Sequence, residues 1–324
     1  MTVGVRLLHE PPSLPRLFVK AALTAKGRGG DLADVTMRRQ GVEVDRASLL
    51  AYQHLCGFAG GDVLPHTYPH VLGFPLQLEL MADRGFPLPL PGLVHLENTI
   101  TVHRRVTADD VLDLEVRAED LRGHPKGRLV DLVTTVEVAG EPVWEGRSTY
   151  LRRGGGSADA ARPSPAPELP DLPARPAAGV IRVPERQGRA YAAVAGDVNP
   201  IHLHALTAKA MGFPRAIAHG MWTYARALSV LGPATAGSSR SHVWFGKPVL
   251  LPSTVELVVD DRSDPAVVAL RSRNHPTRTH LTVTFASPAP PTSSSRTPGQ
   301  PPGVGSTASG LNRLAKYRAV SDQA

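Results

Sequence analysis

Cysteine and long apolar runs are scarce in this sequence, and each scarcity excludes a class of protein. Cys56 is the one cysteine among 324 residues, so the chain cannot form an internal disulfide framework. A single thiol fits a reducing compartment. No stretch approaches the roughly 20 apolar residues that cross a bilayer, and the first residues hold no apolar core of the signal-peptide type. We therefore expect a cytoplasmic protein with no membrane span.

Aromatic residues are also sparse, at 5% of the chain, and form no evident platform on which nucleic-acid bases could stack. The net charge of +7 is not concentrated in a basic run that could follow a phosphate backbone. Part of it, a net +3, lies near the C-terminus, on Arg296, Arg313, Lys316 and Arg318 against Asp322. We expect no nucleic-acid partner, whereas a basic surface suits an anionic carrier such as the phosphates of CoA or an acidic carrier protein.

Cofactor motifs are missing as well. No Cys/His cluster has metal-ligand spacing, and no glycine-rich turn follows a strand in the dinucleotide-binding pattern. The segment Gly27 to Gly30 follows a helix-like stretch and is typical of a loop. We expect neither a metal nor a cofactor. The chain is long enough for one large or two ordinary domains, and 42% of its residues are hydrophobic.

The most informative segment runs from Tyr191 to Ala208, YAAVAGDVNPIHLHALTA. It places Asp197 five residues before His202, and the intervening pair Asn199-Pro200 favours a tight turn. A short rigid loop would therefore hold a carboxylate close to an imidazole. Two such groups on either side of one water can add or remove that water by moving two protons.

This loop resembles the signature of the MaoC-like (R)-specific enoyl-CoA hydratases, the hydratase 2 family. The family pattern has an aromatic residue, an apolar spacer and then Ser-Gly-Asp-x-Asn-Pro-aliphatic-His, with a small residue six positions later. The matching positions are Tyr191, Val194, Gly196, Asp197, Asn199, Pro200, Ile201, His202 and Ala208, whereas Ala195 replaces the small polar residue. The segment 212–221, GFPRAIAHGM, resembles the family's entry into its central helix. The segment 64–81 resembles the non-catalytic half of actinobacterial double hot-dog 3-hydroxyacyl-thioester dehydratases.

The resemblance implies reversible syn hydration of a trans-2-enoyl thioester to its (R)-3-hydroxyacyl counterpart. The carrier would be CoA or acyl-carrier protein, in fatty-acid or polyketide metabolism. We assign His202 as the base towards water and Asp197 as the proton donor to C2, although the sequence leaves the opposite split open. The family's oxyanion contact corresponds to the backbone N–H of Gly220, at the start of the central helix. The implied substrate contacts are Gly196, Asn199, Phe245 and Lys247.

The two halves of the chain repeat each other, but only the second has the acid–base pair. An offset of 139 residues aligns residues 42–45 with 181–184, Tyr52 with Tyr191, and Gly57 with Gly196. In each half a strand leads into a helix that ends at glycine, the favoured residue just past a helix C-terminus. Asp45 is a candidate N-cap of the first helix. At the same offset Phe58 stands opposite Asp197, and Val63 stands opposite His202.

In each half a later helix is followed by several β-rich segments, which predicts an α+β fold. By resemblance each half is a hot-dog unit, in which an antiparallel sheet wraps a central helix. We expect a non-catalytic unit at 1–153, a Pro/Gly/Ala-rich linker at 154–178, a catalytic unit at 179–287 and a disordered tail at 288–324. The first central helix would start at Pro75. The second would run from Ala218 to Leu231 and end at Gly232-Pro233.

Several other residues have structural explanations. We expect His219 to make a structural hydrogen bond, His204 to be exposed and Cys56 to be a small buried residue. The stripe Trp222, Ala225, Leu228 and Leu231 is typical of a helix core.

Two other functions fit a hot-dog fold. An acyl thioesterase usually takes its acid from the central helix, yet the predicted helix contains no Asp or Glu. A non-catalytic acyl-binding subunit would leave the intact loop unexplained. A chain with two hot-dog units would be a monomeric pseudo-dimer or would form a homodimer.

Overall fold

The computed structural model describes residues 4–169 and 171–287. The predicted disordered tail, 288–324, lies outside the described residues. The first half contains the strands β1 (Gly4–Leu7), β2 (Val35–Val42), β3 (Leu93–Val102), β4 (Leu112–His124), β5 (Gly127–Val138) and β6 (Glu141–Arg153). Its helices are α1 (Leu14–Leu23), α2 (Arg46–Cys56) and α3 (Tyr68–Ala82).

The second half repeats this plan in fewer residues. Its strands are β7 (Gly179–Val183), β8 (Ser239–Phe245), β9 (Ser253–Asp260), β10 (Ala266–Ser272) and β11 (Thr279–Ala286). Its helices are α4 (Gln187–Ala195), α5 (Pro200–Leu203), α6 (Ala205–Ala210) and α7 (Gly220–Leu228), and a 3-10 helix, Ser229–Ala236, follows directly.

The strands of the described part form one eleven-stranded sheet, in the order β1-β2-β4-β5-β6-β3-β8-β11-β10-β9-β7. Apart from the edge strand β1, the two halves of the sheet are symmetric. Counted inward from the edges, the first half contributes β2-β4-β5-β6-β3, and the second half contributes the corresponding strands β7-β9-β10-β11-β8. The halves join where β3 pairs antiparallel with β8, with Ile100 opposite Ser241. This arrangement confirms the predicted α+β double hot-dog fold.

The repeated strand–helix segment is present in both halves. Asp45 caps α2, because its side chain accepts a hydrogen bond from the N–H of Ser48 at 2.7 Å. Both helices end at a left-handed glycine, Gly57 (φ +78°) after α2 and Gly196 (φ +72°) after α4. The aligned rings of Tyr52 and Tyr191 lie 6.2 Å apart. The two copies of the repeat therefore meet at the centre of the molecule.

The prediction that Pro75 starts the first central helix is wrong. The helix α3 starts at Tyr68, and Pro69 occupies the first turn, where a missing N–H costs nothing. Pro75 lies inside the helix and removes a backbone hydrogen bond, at a cost of about 3 kcal/mol. Burial on nearly every side of α3, including Leu76 and Leu78, offsets this local cost. Tertiary packing has overridden the local signal.

The second central helix is shorter than predicted. The α-helix begins at Gly220 and ends at Leu228, and the 3-10 helix then continues across the predicted terminator. Gly232 breaks that segment with φ +58° and ψ −134°. The predicted stripe is buried core at Trp222, Ala225 and Leu228, with Leu231 packed against that core.

The predicted linker has no helix or strand over its described residues, yet it packs against the sheet. Leu169 is buried against Val258 and Ala269 on the outer face of β9 and β10. Arg271 donates to the carbonyl of Arg175 at 2.8 Å, which fastens the end of the linker. Among the described helices, none has both the length and the apolar content needed to cross a bilayer.

Candidate active site

The loop after α4 is held in shape by its own side chains. Gly196 turns the chain out of α4, and its left-handed backbone strongly favours glycine. The Asp197 carboxylate accepts a hydrogen bond from the N–H of Asn199 at 3.2 Å. The Asn199 side chain accepts one from the N–H of Ile201 at 3.4 Å and caps α5. The turn predicted from Asn199-Pro200 is therefore present, and it carries His202 as the third residue of α5.

This loop brings three functional groups together. One carboxylate oxygen of Asp197 and one nitrogen each of His202 and His219 lie within 4.8 Å of one another. Since a hydrogen bond to water spans about 2.8 Å, a single water molecule can contact two groups at this separation. His202 is 8% exposed, and the side chain of Asp197 is 26% exposed. The carboxylate thus borders solvent while the imidazole is enclosed.

Burial changes the acid–base properties of this pair. It raises the pKa of Asp197, although the charge of His202 and the N–H of Asn199 act in the opposite direction. It lowers the pKa of His202, against the effects of Asp197 and the carbonyl of Ile217. Both changes favour the uncharged forms, which are a protonated acid and a free imidazole base.

A hydrogen bond sets the proton position on His202. Its Nδ1 lies 2.8 Å from the carbonyl oxygen of Ile217, which can only accept. Nδ1 is therefore the protonated nitrogen, and in the neutral ring the lone pair is on Nε2. This tautomer suits a base that takes a proton from water.

His219 makes the structural hydrogen bond expected of it. Its Nε2 donates to the backbone carbonyl of Asp197 at 2.9 Å, and its ring stacks on that of His202 with centroids 3.7 Å apart. The ring of Tyr191 packs nearby at 4.9 Å. Burial holds the pKa of His219 well below its usual range, so the ring is neutral. His219 thus pins the loop that carries Asp197.

The same three groups have the spacing of a metal-ligand cluster, which the sequence did not predict. The rings of His202 and His219 are tilted by only 26° as they stack. Their lone pairs therefore lie in nearly parallel, stacked planes, so an ion about 2 Å from a nitrogen in the plane of one ring lies outside the plane of the other. His219 Nε2 also already donates to the Asp197 carbonyl. This geometry suits proton transfer better than metal ligation.

Gly220 is the first residue of α7, the position where a helix leaves its N–H groups unpaired. The preceding residue, His219, makes no side-chain capping bond to these groups. A Cβ on Gly220 would lie 3.1 Å from the ring of Phe245, so a larger residue here would require that ring to move by a few tenths of an ångström. The oxyanion role of the Gly220 N–H stays a prediction.

The other predicted substrate contacts occupy different surroundings. A Cβ on Gly196 would lie 2.2 Å from Leu14, so packing alone accounts for this glycine. Lys247 has an exposed side chain, and its backbone is paired with β11 through Thr279 and His280. Substrate contact by Gly196, Asn199, Phe245 and Lys247 stays a prediction. His204 is exposed, as expected, and Cys56 is fully buried with its pKa raised by burial to about 12.

Two residues of the first half also approach the site, and the sequence did not reveal them. Tyr150 of β6 is buried, and the charge of Asp197 adds to the effect of burial in raising its pKa. His95 of β3 stacks on Tyr150 at 4.5 Å and packs against Phe245 at 4.9 Å. The rings of Tyr150, His95 and Phe245 therefore form a continuous row from the surroundings of Asp197 to Gly220. No motif marked these strand residues, because only the pairing of β3 with β8 brings them here.

Comparison with known proteins agrees with this geometry. Residues 169–274 match the model of the MaoC like domain, and residues 53–145 match that of the FAS1-like dehydratase domain region. The chain is 37% identical over 281 residues to 3-hydroxyacyl-thioester dehydratase X of Mycobacterium tuberculosis, covering 86% of this chain and 99% of that protein. It is 28% identical over 136 residues to a probable enoyl-CoA hydratase 2 of Dictyostelium discoideum, covering 41% of this chain and 46% of that protein.

Solved structures give the same result. The crystal structure of HtdX from Mycobacterium tuberculosis superposes with a TM-score of 0.66 at 36% identity, covering 78% of this chain and 99% of that one. A MaoC-like dehydratase from Phytophthora capsici superposes with a TM-score of 0.65, covering 78% of this chain and 94% of that one. Its identity of 18% supports the fold alone.

Proposed function

The chain belongs to the family of MaoC-like dehydratases, and we propose that it adds water reversibly to trans-2-enoyl thioesters through Asp197 and His202. The enzyme is a hydro-lyase of acyl-thioester metabolism. The observation that carries the assignment of these residues is the cluster within 4.8 Å on one fixed loop. The opposite effects of burial on the two pKa values give a proton donor beside a proton acceptor.

In the hydration direction, His202 Nε2 takes a proton from water as the water oxygen bonds to C3. Protonated Asp197 gives its proton to C2, which leaves an imidazolium and a carboxylate. Because the two groups lie on one loop, both additions occur from the same face and the result is syn. Returning one proton from His202 to Asp197 restores the starting state. Dehydration of the (R)-3-hydroxyacyl thioester runs through the same steps in reverse.

Negative charge develops on the thioester oxygen while C2 is being protonated. In this proposal the N–H of Gly220 donates a hydrogen bond to that oxygen, supported by the positive end of the α7 dipole. One preorganised donor of this kind is worth about 10²–10³-fold in rate. Tyr150 and His95 exclude water on the side of the first half, which strengthens electrostatic interactions in the site.

The test is hydration of crotonyl-CoA by Asp197→Asn and His202→Ala. Each variant removes one proton-transfer group, so we expect turnover to fall by about 10²–10⁴-fold with the fold retained. Loss of enoyl absorbance measures hydration, and circular dichroism checks the fold. His204→Ala is the matched control, because it makes the same change on an exposed neighbour in the loop. Full activity in either active-site variant contradicts its assigned role.

The same assay separates the two other functions. A thioesterase releases free thiol, whereas a hydratase consumes the double bond without releasing it. An acyl-binding subunit does neither. Neither α7 nor the following 3-10 helix contains Asp or Glu, which speaks against a thioesterase with its acid on the central helix.

The organisation of the chain belongs to the same proposal. Residues 1–153 form a non-catalytic unit, residues 154–178 a linker, and residues 179–287 the catalytic unit. The symmetric strand order supports this division. Since one chain supplies both units, we propose a monomeric pseudo-dimer, with a homodimer as the alternative that light scattering distinguishes. A cytoplasmic location is supported by a cysteine content too low for a disulfide.

A further inference from the structure

A pocket of about 310 Å³, separate from the Asp197–His202 cluster, lies at the turn between β10 and β11. The start of β9 and the segments before α7 and after β8 complete its wall. None of its lining residues is Asp or Glu, and four are basic: Arg215, His275, Arg278 and His280. Four others carry hydroxyl or amide groups: Ser253, Thr254, Ser272 and Asn274. This composition suits an anion that accepts several hydrogen bonds.

The cations of this pocket are available to a ligand. The nearby Arg271 and Arg273 are engaged by Glu256, at 2.9 and 4.0 Å. Within the described part of the chain, no carboxylate lies within ion-pair distance of Arg215 or Arg278. The Arg215 guanidinium donates to the carbonyl of Pro252 at 3.2 Å, which orients it without neutralising its charge.

Two other polar groups in the pocket have unused bonding capacity. The hydroxyl of Ser253 is buried and has no hydrogen-bond partner among the described residues. A buried hydroxyl without a partner is costly, and a ligand oxygen would satisfy it. His280 is 9% exposed, and its Nδ1 donates to the carbonyl of Lys247 at 2.8 Å, so its Nε2 donates to a bound anion only when the ring is protonated.

The pocket is close to the acid–base site by two routes through the chain. Phe245 packs against Gly220, and Pro248, three residues later, lines the pocket. Three extended residues span at most about 11 Å. Leu250 also lines the pocket and pairs with Ile217, whose carbonyl holds His202. The proposal below therefore places the carrier arm past Lys247, between the Gly220 N–H and the pocket.

We propose that this basic pocket binds a phosphate of the acyl carrier while the thioester lies at Gly220. The inference rests on the proposed function and deepens it. Two carriers contain the required chemistry: CoA, with a diphosphate and a 3′-phosphate, and the phosphopantetheine arm of an acyl-carrier protein. In both, an uncharged pantetheine arm separates the phosphate from the sulfur. Arg215 and Arg278 neutralise the phosphate, and the hydroxyl of Ser253 donates to it.

Calorimetric binding to the full chain tests this without requiring turnover. The ligands are CoA, 3′-dephospho-CoA, 4′-phosphopantetheine and pantetheine. We expect pantetheine to bind at least tenfold more weakly than CoA. The double substitution Arg215→Gln and Arg278→Gln should remove that difference. Tight binding of 4′-phosphopantetheine indicates that the phosphate beside the arm suffices, as on a carrier protein, whereas a requirement for the 3′-phosphate indicates CoA.

Arg262→Gln is the control, since it makes the same type of substitution, with loss of one positive charge, in the exposed turn at the other end of β9 and β10. It should leave all four affinities unchanged. In turnover, the double variant should raise KM for crotonyl-CoA about tenfold or more, with kcat and the reaction of crotonyl-pantetheine unchanged. Equal affinity for pantetheine and CoA, or wild-type binding of CoA by the double variant, would contradict phosphate binding in this pocket. Phosphate-dependent binding without hydration overturns the proposed reaction and leaves the pocket standing.

Discussion

Gly188, in the first turn of α4, packs against the backbone of His202, the histidine that we propose as the base. A Cβ at this position would lie 1.8 Å from the carbonyl oxygen of His202. Real contacts of this kind are essentially never shorter than 3.0 Å, so α4 and α5 must separate by at least about 1.2 Å in Gly188→Ala. A misplacement of about 1 Å in a catalytic group can lower the rate about 10²-fold. We therefore expect kcat/KM to fall about 100-fold.

Helix propensity alone predicts that Gly188→Ala stabilises the protein, which is the opposite of the effect that the clash predicts. Alanine is favoured over glycine in a helix by about 0.8–1 kcal/mol, so a change confined to α4 would stabilise the protein. The clash instead predicts a lower melting temperature, at an overpacking cost of about 1–3 kcal/mol. Gly179→Ala is the control, because no atom lies within 4 Å of the new methyl group. Wild-type kcat/KM in Gly188→Ala would refute the argument from contact.

Two further predictions concern the same loop. His219→Phe keeps a stacked ring but loses the hydrogen bond to the Asp197 carbonyl, so kcat should fall about tenfold. His219→Gln can still donate this bond and should restore part of the lost kcat. Equal kcat values for the two variants would contradict a role for the hydrogen bond. The pH profile should also follow burial. In the proposed mechanism His202 must be neutral, and its pKa is lowered, so activity should persist as pH falls below 6.5 and be lost only at more acidic pH. Asp197 must be protonated, and its pKa is raised, so activity should also fall at higher pH as Asp197 loses its proton. An acid limb centred above pH 6.5 in kcat/KM profiles would contradict these directions.

The features predictable from sequence are those fixed by a few neighbouring residues. Asp45 caps α2 through Ser48, and Gly57 and Gly196 end their helices, because each depends on local backbone conformation. The turn at Asn199 is local for the same reason. The predicted start of α3 at Pro75 was wrong because it rested on the local preference of proline for the first helical turn, whereas the stability of that helix comes from contacts with distant strands.

The contribution of the first half could not be predicted, because it depends on pairing between residues far apart in the chain. β3 pairs with β8 between residues that are 137 to 147 positions apart in the sequence, and this pairing sets His95 against Phe245. At the offset of 139 residues, Phe58 and Val63 stand opposite Asp197 and His202, and neither is an acid or a base. The repeat therefore does not mark residues of the first half that approach the existing pair from other strands.

The surroundings of Asp197 explain why a half without an acid–base pair can still contribute to the proposed active site. The pKa of Asp197 is raised mainly by burial, and Tyr150 of the first half lies close enough for the charge of Asp197 to raise the pKa of its hydroxyl. The side chain of Asp197 is 26% exposed, so if the first half moved away, more water would reach the carboxyl group, its pKa would fall, and the proton donation that we propose for it would weaken. In the proposed mechanism, a half without an acid–base pair is therefore still required, because it limits the water that reaches the proposed donor in the second half.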